Sequence, residues 1–282
     1  MTSARRLLID SQKIIYGQLS GFHRSLARGQ GYDFVELRRY EQGDDVRTID
    51  WKSSSKMDDL LVKIYHEERQ LQVVVVMLPS ASMGFGSRGW KYETATHVAM
   101  SVGRSVVSMA DTLGVLVVND REKGYIPPSR HPTVLYRMAQ MIEGEHFYGQ
   151  TVDYSCVCQT IMRRLKKRSL VVVVGDFFPQ GGVALDPTVW KGVATRHDVV
   201  MVAVRDHLEE NPTYFGVDYF VDPSDNTGWE GSFDPASLQA YRTKLQQCDE
   251  SFFSGLRHYR VRAGKVMTDE VVGRALGRIF GS

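Results

Sequence analysis

The chain has 282 residues, which is enough for one large domain or two modest ones. Apolar residues make up 43% of the chain and charged residues 24%, a balance that excludes a disordered protein. The 35 Lys and Arg residues nearly balance the 33 Asp and Glu residues. The resulting net charge of +2 argues against a surface built to bind nucleic acid.

The cysteines and the apolar runs bear on location. Cys156, Cys158 and Cys248 are too few for a disulfide framework or a structural zinc site, so we expect reduced thiols in a cytoplasmic protein. Polar residues interrupt the first 15 positions, which therefore lack the apolar core of a signal peptide. The longest apolar run, residues 73–79, is far shorter than the ~20 residues that cross a bilayer, so no membrane span is expected.

The first 70 residues differ in character from the rest. Apolar residues at near-helical spacing predict a helix over residues 5–19. Residues 21–70 are rich in Gly, Asp and Arg, with short extended pieces at 33–40 and 60–65. Interspersed charges of both signs indicate internal ion pairs or a recognition surface. We therefore predict that residues 1–70 pack on a main domain of residues 71–282.

From residue 71 the sequence alternates between apolar runs and helix-length segments. The runs are continuous and β-branched, as in parallel strands covered on both faces, and lie at 72–78, 113–119, 169–178 and 198–206. The segments between them predict helices at 90–111, 131–142, 152–168 and 187–195. This alternation predicts an α/β fold with a doubly wound, mainly parallel sheet.

The last 70 residues predict closing elements. An alternating pattern at 214–221, followed by a turn sequence, predicts an edge hairpin near 214–230. Residues 235–258 and 269–280 predict two closing helices.

Oxygen-bearing side chains follow two of the predicted strands. Ser80 and Ser82 come after the first strand and Asp176 ends the third. Ligands of open α/β sheets bind beyond the carboxyl ends of the strands, so these side chains could meet if the two strands are neighbours. Two neutral hydroxyls and one acid predict at most a weak Mg²⁺ site. Alternatively, the serines cap the following turn and Asp176 accepts backbone N–H bonds.

Residues 21–69 hold the densest set of polar and aromatic side chains. Its members are His23, Ser25, Arg38, Tyr40, Asp44, Asp45, Arg47, Asp50, Trp51, Lys63 and Glu67. A metal-dependent hydrolase could use Asp44 and Asp45 as metal ligands or bases and His23 as a general acid. Ser25 is only two residues from His23, a spacing that rarely gives the geometry of a catalytic triad.

An ion-pair network explains the same composition without catalysis. Arg38 and Arg47 are natural bidentate partners for Asp44 and Asp50. Adjacent carboxylates in a Gly-Asp-Asp turn usually serve different local bonds, and one of them caps backbone amides. We favour this interpretation over the hydrolase.

One basic run, residues 163–168, ends a predicted helix. Cations are favourable at a helix carboxyl end, so a solvated helix terminus is favoured over a nucleic-acid surface. Nucleic-acid binding there would show a steep salt dependence.

The order of motifs in residues 21–69 resembles the signature of the bacterial domain-of-unknown-function family 58. It comprises Gly-x-His-x-Ser, Gly-Gln-Gly-x-Asp-Phe, Leu-Arg-x-Tyr, Gly-Asp-Asp-x-Arg-x-Ile-Asp-Trp, then Val-Lys and a Glu pair, and it includes the glycines Gly29, Gly31 and Gly43. Later pieces are similar too: the stretch 80–87 with Lys91, and Val204-Arg205-Asp206. The resemblance extends over nearly the whole chain.

The resemblance implies a fold, a partner and a role. It implies a von Willebrand A-like sheet that carries the signature segment as an N-terminal addition. It implies a non-enzymatic adaptor that works with a MoxR-type AAA+ ATPase, with other von Willebrand A proteins as further candidate partners, in chaperone-like assembly or maturation. The signature residues would then form the partner-binding surface. Leu78 stands where many relatives keep the metal-site Asp, which implies a degenerate metal-ion-dependent adhesion site and no cofactor.

Overall fold

The computed structural model describes most of the chain. The described residues are 33–42, 44–57, 59–66, 71–143, 150–179, 183–213, 216–221 and 228–281. The helix predicted at 5–19 lies outside them. The chain divides into two compact units, a small one over Ser20–Gln70 and a large one that includes Leu71–Ser282.

The small unit is built on two antiparallel strands, β1 (Asp33–Arg39) and β2 (Leu61–His66). A short 3-10 helix (Val46–Thr48) and helix α1 (Trp51–Met57) lie between them along the chain. The two extended pieces predicted from the sequence are confirmed as these strands.

Helix α1 is fixed to the start of β2 by the buried hydroxyl of Ser54. That hydroxyl donates to the Asp50 carbonyl (2.8 Å) and accepts the Leu61 N–H (2.9 Å). The Asp50 N–H in turn donates to the Leu61 carbonyl at 2.8 Å. An apolar side chain at this position would leave the Leu61 N–H without its acceptor, whereas the Asp50 carbonyl would keep its bond from the residue 54 N–H.

The large unit contains a six-stranded sheet and a separate antiparallel hairpin. In chain order its strands are β3 (Gln72–Met77), β4 (Thr112–Val118), β5 (Glu122–Ser129), β6 (Leu170–Gly175), β7 (Asp198–Arg205), the hairpin strands β8 (Gly216–Val221) and β9 (Gly228–Phe233), and β10 (Arg262–Met267). The sheet order is β10-β7-β6-β3-β4-β5, and only β5 runs antiparallel to its neighbour. The predicted doubly wound, mainly parallel α/β fold is confirmed.

Helices cover both faces of this sheet. They are α2 (Lys91–Ser108), α3 (Thr133–Glu143), α4 (Tyr154–Arg164), α5 (Lys191–Arg196), α6 (His207–Glu210), α7 (Pro235–His258) and α8 (Val272–Gly281), with 3-10 helices at Ala81–Gly84 and Pro187–Trp190. Side chains alternate along β3, and Val74 and Val76 pack in one core cluster with Trp190 and Phe252. Helix α2 packs on β3 and on helices α3 and α8. The central strands are thus apolar on both faces because each face meets a helix layer.

The sequence prediction missed β5 and β10, and both are edge strands of the described sheet. Strand β5 carries Pro127 and Pro128, which do not fit a ladder of hydrogen bonds. Strand β10 carries Gly264, where an added Cβ would lie 2.6 Å from Ile279 of α8. Edge strands are partly exposed, so they lack the continuous apolar run that marks the central ones.

Strands β8 and β9 pair as a hairpin at the predicted position, but they form a two-stranded sheet of their own, so the predicted placement at the edge of the main sheet is wrong. Helices α7 and α8 lie at the positions predicted for the two closing helices. No helix in the described residues is long and apolar enough to cross a bilayer.

Candidate functional site

The connections of the sheet reverse direction at β3. The strand after it, β4, pairs on one side, and β6 pairs on the other. Doubly wound sheets bind ligands at such a switch point, in the crevice beyond the carboxyl ends of the strands. Strand β3 leads into Leu78 and the Ala81–Gly84 helix, and β6 leads directly into Asp176.

The structure brings the predicted loop residues together. The Ser80 and Ser82 hydroxyl oxygens lie 3.0 Å apart, and the Ser82 hydroxyl donates to Asp176 Oδ2. Ser80 and Asp176 are buried. The Ser80 side chain makes no capping bond to the 3-10 helix that follows it, so the alternative of turn capping is wrong for Ser80.

A buried lysine faces the same carboxylate. Lys91, the first residue of α2, is 0% exposed, and its Nζ lies 3.6 Å from Asp176 Oδ2 and 2.5 Å from Glu209 Oε1. A cation at a helix N-terminus is opposed by the helix dipole, and burial of an ammonium carries a large desolvation cost. The two carboxylates offset both costs.

Glu209 is held in place from two sides. Its Oε2 accepts the N–H of Asp206 (3.3 Å), which completes a capping box at the start of α6. Its backbone carbonyl accepts the Tyr241 hydroxyl at 2.9 Å. Burial raises the pKa of Glu209, and the adjacent Lys91 ammonium opposes that rise.

Asp206 is fully buried at the end of β7. Its oxygens accept the Ser87 hydroxyl (2.6 Å), the Ser87 N–H (2.9 Å), the Thr268 hydroxyl (2.7 Å) and the Leu208 N–H (2.8 Å). Burial alone would raise the pKa of Asp206, but these hydrogen bonds outweigh it and lower the pKa to about 2. The ionised Asp206 side chain therefore links the segments that contain Ser87, Leu208 and Thr268.

Arg205, one residue earlier, is also fully buried. Its Nη2 donates to the Phe177 carbonyl (2.8 Å) and to Asp249 Oδ1 (2.9 Å). Its guanidinium lies 4.8 Å from the centre of the Phe178 ring. Asp249 also lies 2.7 Å from the Lys265 ammonium, so a buried carboxylate joins α7 to both β7 and β10.

In the small unit, Arg38 and Asp44 form the bidentate ion pair predicted from the sequence. The Arg38 Nη1 and Nη2 groups donate to the two Asp44 oxygens at 2.8 and 2.6 Å, and the Glu41 N–H donates to Asp44 Oδ2 at 2.9 Å. The Arg38 guanidinium and then the Glu41 N–H lower the pKa of Asp44. Both carboxylate oxygens are therefore engaged.

Asp45, Arg47 and Asp50 serve local backbone bonds. Asp45 caps the 3-10 helix by accepting the Arg47 N–H at 3.0 Å. Asp50 accepts the Lys52 N–H (3.2 Å) and the Ser53 hydroxyl (2.9 Å). The predicted pairing of Arg47 with Asp50 is absent from the ion pairs of the described residues, and Arg47 is exposed.

The remaining predicted residues of this segment divide into described and undescribed ones. The Tyr40 N–H donates to the Leu60 carbonyl (2.8 Å), and Lys63 pairs with Leu37 in the strand register. Trp51 is 67% exposed. Outside the described residues lie His23, Ser25, Gly29, Gly31, Gly43 and Glu67.

Ion pairs account for much of the basic run at the end of α4. Arg163 and Arg164 both donate to Glu122, and Arg168 donates to Asp198. These contacts fit the predicted helix terminus better than a nucleic-acid surface, which needs free cations.

Comparison with known proteins identifies the family. The family model described as "Protein of unknown function DUF58" matches residues 36–248. The chain belongs to the DUF58 family. Among curated proteins, the DUF58 chain is 26% identical over 241 residues to "Uncharacterized protein Mb1516" of Mycobacterium bovis, which covers 82% of the chain and 73% of Mb1516.

Solved structures similar to the DUF58 chain share little sequence with it. BatB from Bacteroides thetaiotaomicron is 13% identical with a TM-score of 0.44, over 75% of this chain and 97% of BatB. Proximal thread matrix protein 1 from the mussel byssus, in a form with a zinc-occupied MIDAS motif, is 11% identical with a TM-score of 0.43, over 76% of this chain and 48% of that protein. The fold class of the DUF58 chain follows from its own strand order.

A divalent cation does not fit the donor set at the switch point. Leu78 is apolar, 1% exposed and part of the core cluster, so it offers no oxygen. The Lys91 ammonium already lies within 3.6 Å of Asp176. Within the described ranges, no group of three or more His, Cys, Asp or Glu side chains could hold a metal ion.

Lys91, Arg205, Asp206 and Glu209 were not among the predicted site residues, although the family pattern contains the first three. Two signals in the sequence could have found them. Lys91 begins a predicted helix, where a cation is unfavourable without a compensating acid. Arg205 and Asp206 end an apolar run, on the side of the sheet where doubly wound folds place their sites.

Proposed function

We propose that this DUF58 protein is a non-enzymatic adaptor in the cytoplasm. It binds a MoxR-type AAA+ ATPase, with other von Willebrand A proteins as further candidate partners, during chaperone-like assembly or maturation of a client. The observation that carries the proposal is a set of exposed apolar side chains in the small unit, next to acids that are already paired.

The exposed apolar set consists of four large side chains between residues 46 and 60. They are Val46 (60% exposed), Trp51 (67%), Met57 (69%) and Leu60 (46%). Trp51 and Leu60 line one shallow cavity of about 290 Å³. Exposed apolar side chains that share a cavity, as Trp51 and Leu60 do, are typical of interaction surfaces, and Trp often dominates binding energy.

Paired carboxylates support a binding role over catalysis. Asp44 is held by Arg38, Asp176 by Ser82, and Glu209 by Lys91. A carboxylate whose oxygens are already occupied by a fixed partner is poorly placed to accept a proton from a substrate.

The alternative, a metal-dependent hydrolase that uses Asp44, Asp45 and His23, gains no support from the contacts of the small unit. Asp44 would have to exchange the Arg38 guanidinium for a metal ion, and Asp45 already caps the 3-10 helix through Oδ1. Turnover of phosphoesters with Mn²⁺ that Asp45→Asn abolishes would support this alternative instead.

The thiols fit the proposed location. Cys156, Cys158 and Cys248 are not in disulfide bonds, and the last two are buried. Burial raises the pKa of Cys158 to about 12, so its thiol stays protonated and unreactive at neutral pH. Buried thiols that form no disulfide are typical of proteins in reducing compartments.

Binding to a purified MoxR-type ATPase from the same organism tests the adaptor role. The tagged full chain is immobilised, and ATPase retention is measured without nucleotide, with ATP and with a slowly hydrolysed ATP analogue. We expect retention in a nucleotide-dependent manner and its loss in the double variant Trp51→Ala, Leu60→Ser.

Tyr136→Ala is the matched control, because Tyr136 is a 66% exposed aromatic residue on the large unit. It should retain the ATPase like the wild type. If the wild type retains no ATPase in any nucleotide state, the adaptor proposal is wrong. If the Trp51→Ala, Leu60→Ser variant retains the ATPase as well as Tyr136→Ala does, the exposed apolar set is not the binding surface.

A further inference from the structure

We infer that the Lys91 ammonium is the resident cation of the switch-point site and that it excludes a divalent metal ion from that site. This inference is independent of the proposed adaptor role. It concerns what holds the carboxyl ends of the strands together, and it can be tested on the isolated chain.

Lys91 joins the loops that a bound metal ion would join. Ser82 follows β3, Asp176 follows β6, and Glu209 follows β7. The Ser82 hydroxyl is bonded to Asp176, and the Lys91 ammonium lies between Asp176 and Glu209 at 3.6 and 2.5 Å. One positive charge thus neutralises carboxylates from two different strand ends, beside a hydroxyl from a third.

Because Lys91 is buried, its ammonium stays at the switch-point site. Its side chain is 0% exposed, and its Nζ also lies 5.8 Å from the centre of the Phe178 ring. Because the ammonium is covalently attached and shielded from water, it competes with a metal ion at a very high local concentration. A divalent ion would have to displace it and leave it buried without a partner.

Leu78 removes the remaining room for a metal ligand. It belongs to the core cluster that includes Trp190 and Phe252. Its side chain also lies against the backbone of Gly175, where an added Cβ would be 3.2 Å from the Leu78 Cβ. The Leu78 side chain is therefore packed in the core and supplies no ligand. The remaining candidate carboxylate ligands, Asp176 and Glu209, already share the Lys91 ammonium.

Lys265 offers a matched comparison within the same chain. It also contacts two carboxylates, Glu210 and Asp249, but its side chain is 31% exposed. Removal of Lys265 leaves Asp249 still paired with the buried Arg205, whereas removal of Lys91 leaves Asp176 and Glu209 without their shared ammonium partner. Only the second should gain affinity for a divalent cation with oxygen ligands.

Thermal unfolding in EDTA and in millimolar Mn²⁺ distinguishes the two sites. The wild type should unfold at the same temperature in both. Lys91→Met, which keeps an apolar stem, should unfold at a lower temperature in EDTA and gain about 5 °C in Mn²⁺, the shift expected at ~100 times the dissociation constant. Lys265→Met should show no such gain.

Direct Mn²⁺ binding, measured by electron paramagnetic resonance, gives the second test. We expect one tightly bound Mn²⁺ in Lys91→Met, none in the wild type, and loss of the bound ion in the double variant Lys91→Met, Glu209→Gln. If Lys91→Met does not fold in EDTA, recovery of folded protein on refolding in Mn²⁺ supports the inference.

Three results would overturn it. One is Mn²⁺ binding by the wild type that Asp176→Asn abolishes. Another is a folded Lys91→Met that binds no Mn²⁺. The third is a Lys91→Met variant that refolds neither in EDTA nor in Mn²⁺.

Discussion

Ser87 donates two hydrogen bonds to Asp206 across the crevice at the carboxyl ends of the strands. Its hydroxyl lies 2.6 Å from Asp206 Oδ1 and its backbone N–H lies 2.9 Å from Oδ2. Ser87 follows β3 in the chain and Asp206 follows β7, and the Thr268 hydroxyl adds a bond from the loop after β10. A single carboxylate thereby fixes the rim of the switch-point site.

Asp206→Asn should lower the free energy of unfolding by about 2–4 kcal/mol, because a buried carboxylate with four donors loses its charge-assisted bonds. Urea unfolding at pH 7 measures the change. The control is Asp234→Asn at the N-cap of α7, where Asn caps about as well as Asp, so stability should hardly change. Equal losses in both variants would contradict the assigned role of Asp206.

We expect the stability difference between the wild type and Asp206→Asn to depend on pH. The folded-state pKa of Asp206 is about 2, below the usual value of 3.8. A lowered pKa stabilises the folded state fully above about pH 4, and this stabilisation is lost as the pH falls through 2. The difference in unfolding free energy between wild type and Asp206→Asn should therefore shrink between pH 4 and pH 2. A constant difference over that range would show that the charge of Asp206 does not matter.

Asp249→Asn should cost about 3–5 kcal/mol of stability, because it leaves the fully buried Arg205 without its ionic partner. The matched control is Asp198→Asn, which breaks an ion pair with Arg168, a residue whose side chain is 69% exposed. That exposed pair should contribute less than about 1 kcal/mol. Denaturant unfolding of the two variants in parallel measures the contrast, and similar losses would argue against a structural role for the Arg205–Asp249 pair.

His197 predicts a loss of stability in mild acid. The residue is 2% exposed, and neither ring nitrogen has a hydrogen-bond partner among the residues that the structure describes. Burial, and then the neighbouring Arg196, lower the pKa of His197 below its usual 6.5. The unfolded chain therefore binds a proton that the folded chain resists, and folded stability falls as the pH drops below about 6.5.

His197→Leu should remove this part of the pH dependence. Melting temperatures measured from pH 7.5 to 5 should fall less in the variant than in the wild type. His131→Leu, at an exposed histidine, should follow the wild type. If His197→Leu and wild type fall in parallel, His197 is protonated in the folded state as readily as in the unfolded chain.

Asp44→Asn should loosen the small unit, because Arg38 loses its bidentate partner and the Glu41 N–H loses a charged acceptor. Faster amide exchange at Tyr40 and Asp50, whose N–H groups bond to Leu60 and Leu61, would report this loosening. Glu41→Gln is the control. Glu41 is 83% exposed and lies 4.0 Å from Arg38, so its ion pair is long and weak. Unchanged exchange in Asp44→Asn would show that the ion pair does not brace the unit.

The central strands of the sheet could be predicted from the sequence, and the edge strands could not. Residues 73–77 are fully buried because both faces of β3 meet other elements, so their run is apolar without interruption. Strands β5 and β10 have a neighbour on one side only in the described sheet. Polar, Gly and Pro residues are tolerated in β5 and β10 for that reason. The same residues interrupt the apolar run by which a strand is recognised in the sequence.

Part of the switch-point site was predictable for a similar reason. The ends of adjacent parallel strands share one edge of the sheet, so Ser82 and Asp176 could be expected to meet. The contact of Lys91 with Glu209 could not, because it depends on how far a flexible stem extends into the fold. Residues 118 positions apart show no local pattern that reveals their pairing.

The prolines of β5 have a consequence for growth of the sheet beyond this molecule. Pro127 and Pro128 have no N–H group, so two consecutive residues of this edge strand cannot donate a hydrogen bond to a neighbouring strand. The register of β5 with β4 also shifts beside them. A strand added from another polypeptide would meet a missing donor and an irregular edge. This side of the sheet is therefore protected against β-augmentation by a peptide and against edge-to-edge aggregation.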